Sequence, residues 1–404
     1  MSLRNLFRTR SLFVSTNYRF GYNRAVARSV PQTASYATHT RPKPAPRFIR
    51  IPPLPVALIS VGFICLGIGL YEHLTSDIQN FPQPIRQALR KALYYQQNKD
   101  MSLALKYFKE ALSLALESSE IEKNGAPLTG IMIQLGALQE KLGRLPEARQ
   151  TLIMALRHSL NLHDETDKDM MEKIAQGLDI SSFSPMEQKK MIGIAQKLGD
   201  ITALMKRDDE AEKWYVWSVE HLLKSSSKPV SAYGDTTEVV FDQEHMPDWL
   251  TKTDVGGALE ALGGFYAAQN KPGLAIHLYL RALSLTGMES CQASVLMNNL
   301  AEAYSGLGQF EEAKTWGQKG LDLARNPNTP KINKDGQVCD ETCGVLLFNM
   351  GMLFEQTKDK AKAEQFYQSA KQHGKDFKQP ECIKEADRAL KRLEFEKVRD
   401  NTTP

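Results

Sequence analysis

GALEALGGFYAAQNKPGLAIHLYLRALSL, residues 257–285, carries Gly263, Ala275, Tyr279 and Ala282 at successive offsets of twelve, four and three. Its apolar residues recur at helical spacing on both sides of Gln-Asn-Lys-Pro, so the stretch reads as two helices joined by a tight turn. Two helices cross closely only where both present small side chains, and a ring one turn further on fills the gap that the small residues leave. The offsets therefore have a packing cause.

The same offsets recur along the chain: Ala92, Ala104, Phe108, Ala111; Gly136, Ala148, Leu152, Ala155; Gly199, Ala211, Tyr215, Ser218; Gly351, Ala363, Tyr367, Ala370. VLMNNLAEAYSGLGQFEEA, residues 295–313, is a further copy with Ala301 and Ala313, but it continues to Gly317 and Gly320 where a bulky and a small residue are expected. These offsets match the tetratricopeptide repeat (TPR), a 34-residue helical hairpin. The expected fold is an all-α TPR helical-hairpin solenoid of about six repeats, at 85–118, 129–162, 192–225, 256–289, 294–327 and 344–377.

Two of the gaps between repeats are long. In the first, Ser184, Pro185 and Glu187 read as N-cap, first-turn proline and capping-box partner of a helix entering the third repeat. The second mixes turn residues with a β-prone run at 237–241. Cys382, Ala386, Leu390 and Leu393 among charges read as an end helix covering the terminal face of the stack.

The formal net charge of +4 conceals a partition. Residues 1–50 hold nine Arg, Lys43 and no carboxylate, which leaves 41 basic against 47 acidic residues beyond Arg50. An Arg- and Ser-rich segment without acids has the composition of a mitochondrial transit peptide; a generic basic tail is the plainer alternative. LPVALISVGFICLGIGLY, residues 54–71, is uncharged and long enough for one bilayer crossing, whereas soluble helices rarely avoid charge for this length. The basic flank, Arg41 to Arg50, predicts the N-terminus in the matrix and the C-terminal portion in the intermembrane space. The expected order is thus a targeting region at 1–50, a transmembrane helix at 54–71, a linker at 72–84, a TPR region at 85–377, and a capping helix and tail at 378–404.

No phosphate loop, HExxH or GxSxG occurs, the eight histidines are dispersed, and Asp164, Glu165, Asp167 and Asp169 lack the glycine and terminal Glu of a calcium loop. No catalytic residue, cofactor or metal is expected, and the scattered aromatic and basic residues offer no nucleic-acid surface. The five cysteines are too few and too scattered for a disulfide framework. Cys339 and Cys343 form one CxxxC, which a bridge could close only if the segment were a turn; two thiols are the alternative.

A TPR array presents a concave groove, lined mainly by the first helix of each hairpin, that holds extended or helical peptides. Its groove positions give Gln196 and Asp200, Glu260, Asn298 and Glu302, and Phe348, Met352 and Glu355 as candidate peptide-binding residues. The carboxylate-clamp variety of this fold needs Lys and Asn where this chain has Leu89 and Leu93, Ile133 and Ala137, Gln196 and Asp200, Glu260 and Gly264, which disfavours that use. The mixed acidic and apolar character suits unfolded or basic apolar segments.

The order of basic segment, apolar segment and repeats, with Phe81-Pro82 and the run Leu89-Arg90-Lys91-Ala92-Leu93-Tyr94-Tyr95, resembles the fungal TPR-type adaptor of the mitochondrial i-AAA protease, the mitochondrial-genome-required family. The resemblance is densest over 78–160 and looser through the later repeats. It implies a non-catalytic inner-membrane subunit whose partners are the i-AAA protease, other adaptor subunits, unfolded substrate polypeptides and inner-membrane lipid. The alternatives are a TPR scaffold for assembling an inner-membrane respiratory complex, similar to the TPR protein that assists complex III, and an import receptor, which would expose its repeats to the cytosol.

Overall fold

Helix caps written into the sequence set where the third, fourth and fifth hairpins begin, at Ser184, Thr251 and Ser290. The computed structural model describes residues 77–226, 246–329 and 339–402. The expected transit segment, the candidate span at 54–71 and the β-prone run at 237–241 lie outside the described residues. Among the described residues are fourteen α-helices, a 3-10 turn at Asp77–Asn80 and no strand; none of these helices is long and apolar enough to cross a membrane.

Six hairpins follow one another: α1 (Gln83–Gln97) with α2 (Met101–Glu117), α3 (Ala126–Lys141) with α4 (Leu145–Ser159), then, after the short α5 (Asp167–Ala175), α6 (Pro185–Leu204) with α7 (Asp208–Ser226). The series continues with α8 (Lys252–Ala268) and α9 (Pro272–Thr286), α10 (Cys291–Gly306) and α11 (Phe310–Arg325), α12 (Cys339–Gln356) and α13 (Lys360–Asp376), and closes with α14 (Pro380–Thr402). Each helix packs on the next, except that α5 sits to one side on α4 while α4 runs directly onto α6. The first helices also touch down the stack, α6 to α8, α8 to α10, α10 to α12 and α12 to α14. The chain folds as an all-helical TPR-like solenoid.

Ser184 and Glu187 form a capping box at α6, as do Thr166 and Asp169 at α5 and Thr251 and Asp254 at α8. Each satisfies two backbone donors that a helix start otherwise strands. The acidic cluster at 164–169 is in part the capped, solvated start of α5.

Every hairpin turns through one residue with φ between 58° and 74°: Lys99, Gly143, Lys206, Asn270, Gly308 and Lys358. All six occupy the fifteenth position of their repeat. The left-handed conformation is dictated by the hairpin, since Lys adopts it three times against its own preference.

The small-and-large offsets act as the packing argument requires. A Cβ placed on Gly199, Gly263 or Gly351 would stand 2.9, 2.7 or 2.6 Å from the rings of Tyr215, Tyr279 or Tyr367, closer than carbon atoms approach. In the fifth hairpin Gly317 takes the ring's place, and Met350 from α12 fills the space: a Cβ there would meet its sulfur at 2.5 Å. The weakened repeat is thus completed by its neighbour.

Cysteine pairing differs from expectation. Cys339 and Cys343 both lie in α12, one helical turn apart, so no turn brings them together. Cys339 instead bonds Cys291, 48 residues earlier, with Cα atoms 5.1 Å apart, which ties the start of α10 to the start of α12. Cys343 and Cys382 are buried outside this bridge. On the last helix, Cys382, Ala386, Ala389 and Leu393 are buried against α13, while Leu390 is only partly covered.

Candidate functional site

The eight candidate groove residues sit on α6, α8, α10 and α12, the first helices of consecutive hairpins, and the structure gives them several different environments. Phe348 is buried, its ring 5.3 Å from that of Tyr367. Gln196 and Asn298 are also buried, Met352 is half-buried against the same core as Phe348, and Glu302 is half-buried.

Asp200 and Glu355 are held by their own hairpins. The Tyr215 hydroxyl donates to Asp200 Oδ1 at 2.7 Å, and the Tyr367 hydroxyl donates to Glu355 Oε2 at 2.6 Å. These are two of the tyrosines that cover a glycine, so the packing motif also aims a hydroxyl at a carboxylate on the first helix. Glu355 further accepts from Arg392 of α14, at 2.9 Å from Nε and 2.7 Å from Nη2. Burial pushes this carboxyl up, but hydrogen bonds from Arg392 and Tyr367 and the guanidinium charge outweigh it, so the group stays below the usual Glu range.

Other candidates bridge hairpins. Glu260 Oε1 accepts from Asn299 Nδ2 at 3.2 Å, and Glu260 Oε2 accepts from Gln292. Part of the Glu260 side chain reaches solvent, but its carboxyl is packed round by protein, and burial pushes the pKa up to about 7 against those two amide donors. Asn298 Oδ1 accepts from Asn349 Nδ2 at 2.8 Å. The rule is positional: the fifth residue of one repeat meets the sixth of the next, Glu260 to Asn299 and Asn298 to Asn349. Nearby, Lys197 Nζ of α6 lies 2.8 Å from Glu140 of α3, and Ser305 of α10 donates to Gln356 of α12.

The structure therefore brings Glu260, Asn298 and Glu355 into a run of polar bridges along the first helices, and places Phe348 and Gln196 beneath the surface. Sequence reasoning missed the partners Asn299, Gln292, Asn349 and Arg392. The fifth-to-sixth complementarity of successive repeats was the available signal for two of them. Chemically the row offers half-buried carboxylates and amides, capable of accepting from or donating to a peptide backbone; among the described residues no group of His, Cys, Asp or Glu is arranged to hold a metal ion.

Family models match three of the six hairpins, the first, fifth and sixth. The tetratricopeptide repeat families match residues 88–117, 295–326 and 345–372. The chain is 24% identical over 193 residues to tetratricopeptide repeat protein 19, mitochondrial, of Homo sapiens, covering 47% of this chain and 46% of that protein. The chain thus matches about half the length of that curated relative. Among solved structures it is similar to BtubC of P. vanneervenii, at 16% identity over 75% of this chain and 93% of that one, with a TM-score of 0.45. It is also similar to a signal transduction ATPase with a tetratricopeptide repeat sensor from Pyrococcus horikoshii, at 15% identity over 78% and 39%, with a TM-score of 0.48. The chain carries TPR repeats, an architecture that typically serves as a non-catalytic scaffold with protein partners.

Proposed function

We propose that this protein is a mitochondrial inner-membrane scaffold that holds polypeptide segments along its repeats and delivers unfolded or misfolded substrates to the i-AAA protease. The observation that carries the scaffold reading is the row of first helices from α6 to α12, in which a carboxylate and amides of α8, α10 and α12 meet across successive hairpins. Such a row recognises chain segments by backbone hydrogen bonds and apolar contacts and requires no reacting group. The mitochondrial designation of the human relative, with the carboxylate-free segment 1–50, supports the location. The apolar segment 54–71 supports a single crossing with the repeats in the intermembrane space. The protease as partner rests on the resemblance over 78–160.

Native immunoprecipitation from solubilised inner membrane, followed by mass spectrometry, tests the assignment. Recovery of an AAA protease with a heterogeneous set of unfolded proteins is the expected outcome. Recovery of respiratory-complex assembly intermediates without a protease would replace it with the assembly-scaffold reading. Protease added to mitoplasts is expected to remove the repeats, and their protection would reverse the topology.

A further inference from the structure

Residues 78–99 contain Arg86, Arg90, Lys91 and Lys99 and no Asp or Glu, in a chain whose portion beyond Arg50 is otherwise rich in carboxylates. With Asp77 they form the 3-10 turn and then α1, the first helix of the described stack, whose main packing is on α2 and on that turn. Ile85, Ala88, Leu89 and Ala92 point inward and are buried. Away from that buried side, among the described residues, Leu93 is 39% exposed and Tyr94 61% exposed beside the exposed Arg90 and Lys91. Tyr94 is the outermost ring of a column, edge-on to Tyr95 at 5.4 Å, which stacks on Tyr107 at 5.5 Å. Among the described residues neither Arg90 nor Lys91 meets a carboxylate; Lys91 lies over the Tyr107 ring at 5.2 Å. Elsewhere exposed cations commonly have acidic partners, as Lys109 with Glu147 and Arg388 with Glu385.

Leucine and tyrosine beside cations that meet no carboxylate, on the exposed side of a helix, make the composition that settles at a lipid interface, the ring among the headgroups and the cations on phosphates. Chain length adds an independent constraint. From residue 71 to the start of α1 at Gln83 the linker spans at most roughly 40 Å when fully extended, and the turn at Asp77–Asn80 shortens it. A crossing at 54–71 would hold α1 close to the bilayer it emerges from.

We propose that the outward face of α1 docks on the anionic phospholipid surface at the foot of the membrane span, with Arg90 and Lys91 on headgroup phosphates and Leu93 and Tyr94 in the interface. The docking fixes how the solenoid stands on the membrane and leaves the later hairpins projecting toward their polypeptide partners. It rests on the reading of 54–71 as a span.

The test uses the full chain with a photoactivatable phenylalanine analogue in place of Tyr94, reconstituted into vesicles of phosphatidylcholine with roughly one part in five cardiolipin, and into phosphatidylcholine alone. Crosslinking to lipid is expected in the anionic vesicles only, declining as salt screens the headgroups. Each cation contributes about fivefold to the docked-to-undocked ratio, so Arg90→Gln with Lys91→Gln is expected to lower that ratio about 25-fold and to move the salt midpoint down. The same analogue in place of Phe395 on α14, at the far end of the stack, is expected to label no lipid. Equal labelling in both vesicle types, labelling of protein instead of lipid, or indifference to the double substitution would overturn the docking. Alkaline extraction separates the two readings: release of the chain rejects the span, whereas a retained chain without lipid labelling at position 94 rejects the docked face alone.

Discussion

The fourth and fifth hairpins share one backbone shape and reach it by different means. In the fourth, Tyr279 of α9 lies on Gly263 of α8, so the contact that closes the hairpin belongs to the hairpin itself. In the fifth the equivalent ring is missing: Gly317 and Gly320 of α11 leave room for Met350 and Leu346 of α12, and the Cys291–Cys339 bond ties α10 to that same helix. The core reflects this. One apolar cluster runs from Phe81 to Ala303; beyond it Ala313 clusters with Met350 and Leu353 of α12, and Leu321 and Ala324 join a cluster built from α12, α13 and α14. Stability in a repeat array is a sum of terms within each unit and terms between neighbours. The fourth hairpin draws on the first kind, and the fifth borrows from the sixth.

The largest expected effect breaks the self-sufficient hairpin. Tyr279→Ala removes a ring only 3% exposed and leaves a cavity over Gly263, at a cost of about 4 kcal/mol. Hydrogen exchange is expected to show the loss in α8 and α9, with α12 and α13 little affected. Next comes the borrowed hairpin. Reducing the Cys291–Cys339 bond, which encloses a loop of 48 residues, is expected to cost about 3–4 kcal/mol by chain entropy. Exchange should then accelerate together in α10 through α13, and an effect confined to α10 would refute the borrowing.

The bridge between these two hairpins is pH-sensitive. Burial raises Glu260 to about 7 from a model-peptide value of 4.5. Its contribution is therefore complete below pH 4.5 and is lost as pH rises through about 7, a change of roughly 3 kcal/mol. Glu260→Gln should abolish this component, read as the difference between the two proteins in urea midpoints from pH 5 to pH 8. Taking the difference cancels His221, which burial lowers to about 4 and whose effect has the opposite sign. Glu355, held below its usual range, acts only below that window.

How much of this was legible beforehand follows from what each contact depends on. Gly263 and Tyr279 lie in one repeat at a fixed offset, so their meeting could be derived from spacing and sterics, and the other glycine-ring pairs came with it. The Ser184–Glu187 cap was legible for the same reason, being local. Cys291 and Cys339 stand just ahead of two successive repeats, and no periodicity links them; the nearby Cys343 was the misleading choice, because a helix holds residues four apart on one side but with Cβ atoms about 5–6 Å apart, wider than a disulfide spans. Glu260 was legible as a first-helix residue but not as a buried one, because its enclosure depends on Gln292 and Asn299 of the next hairpin.

Overfilling the borrowed contact is expected to cost less than breaking either hairpin. Gly317→Ala places a methyl where Met350 sulfur already lies. Met350 is flexible and can retreat in part, which limits the loss to about 2 kcal/mol. Gly317→Ala combined with Met350→Ala should recover part of that loss if steric crowding is the cause; additive losses in urea unfolding would sink that explanation.

The smallest contrast lies in the turns. Asn270 and Gly308 hold the same fifteenth position with φ of 58° and 74°, and any residue with a Cβ is strained there. Gly308→Ala is expected to cost about 1 kcal/mol, the left-handed penalty less the entropy that Ala removes from the unfolded chain. Asn270→Gly relieves only a slight strain, since Asn tolerates this region through its short polar side chain, and the added freedom of the unfolded glycine offsets most of the gain. The exchange should therefore be asymmetric: a measurable loss in the fifth hairpin and a change within a few tenths of a kcal/mol in the fourth. Equal and opposite effects in urea unfolding would mean that Asn270 is as strained as Ala would be at position 308, and the asymmetry would be refuted.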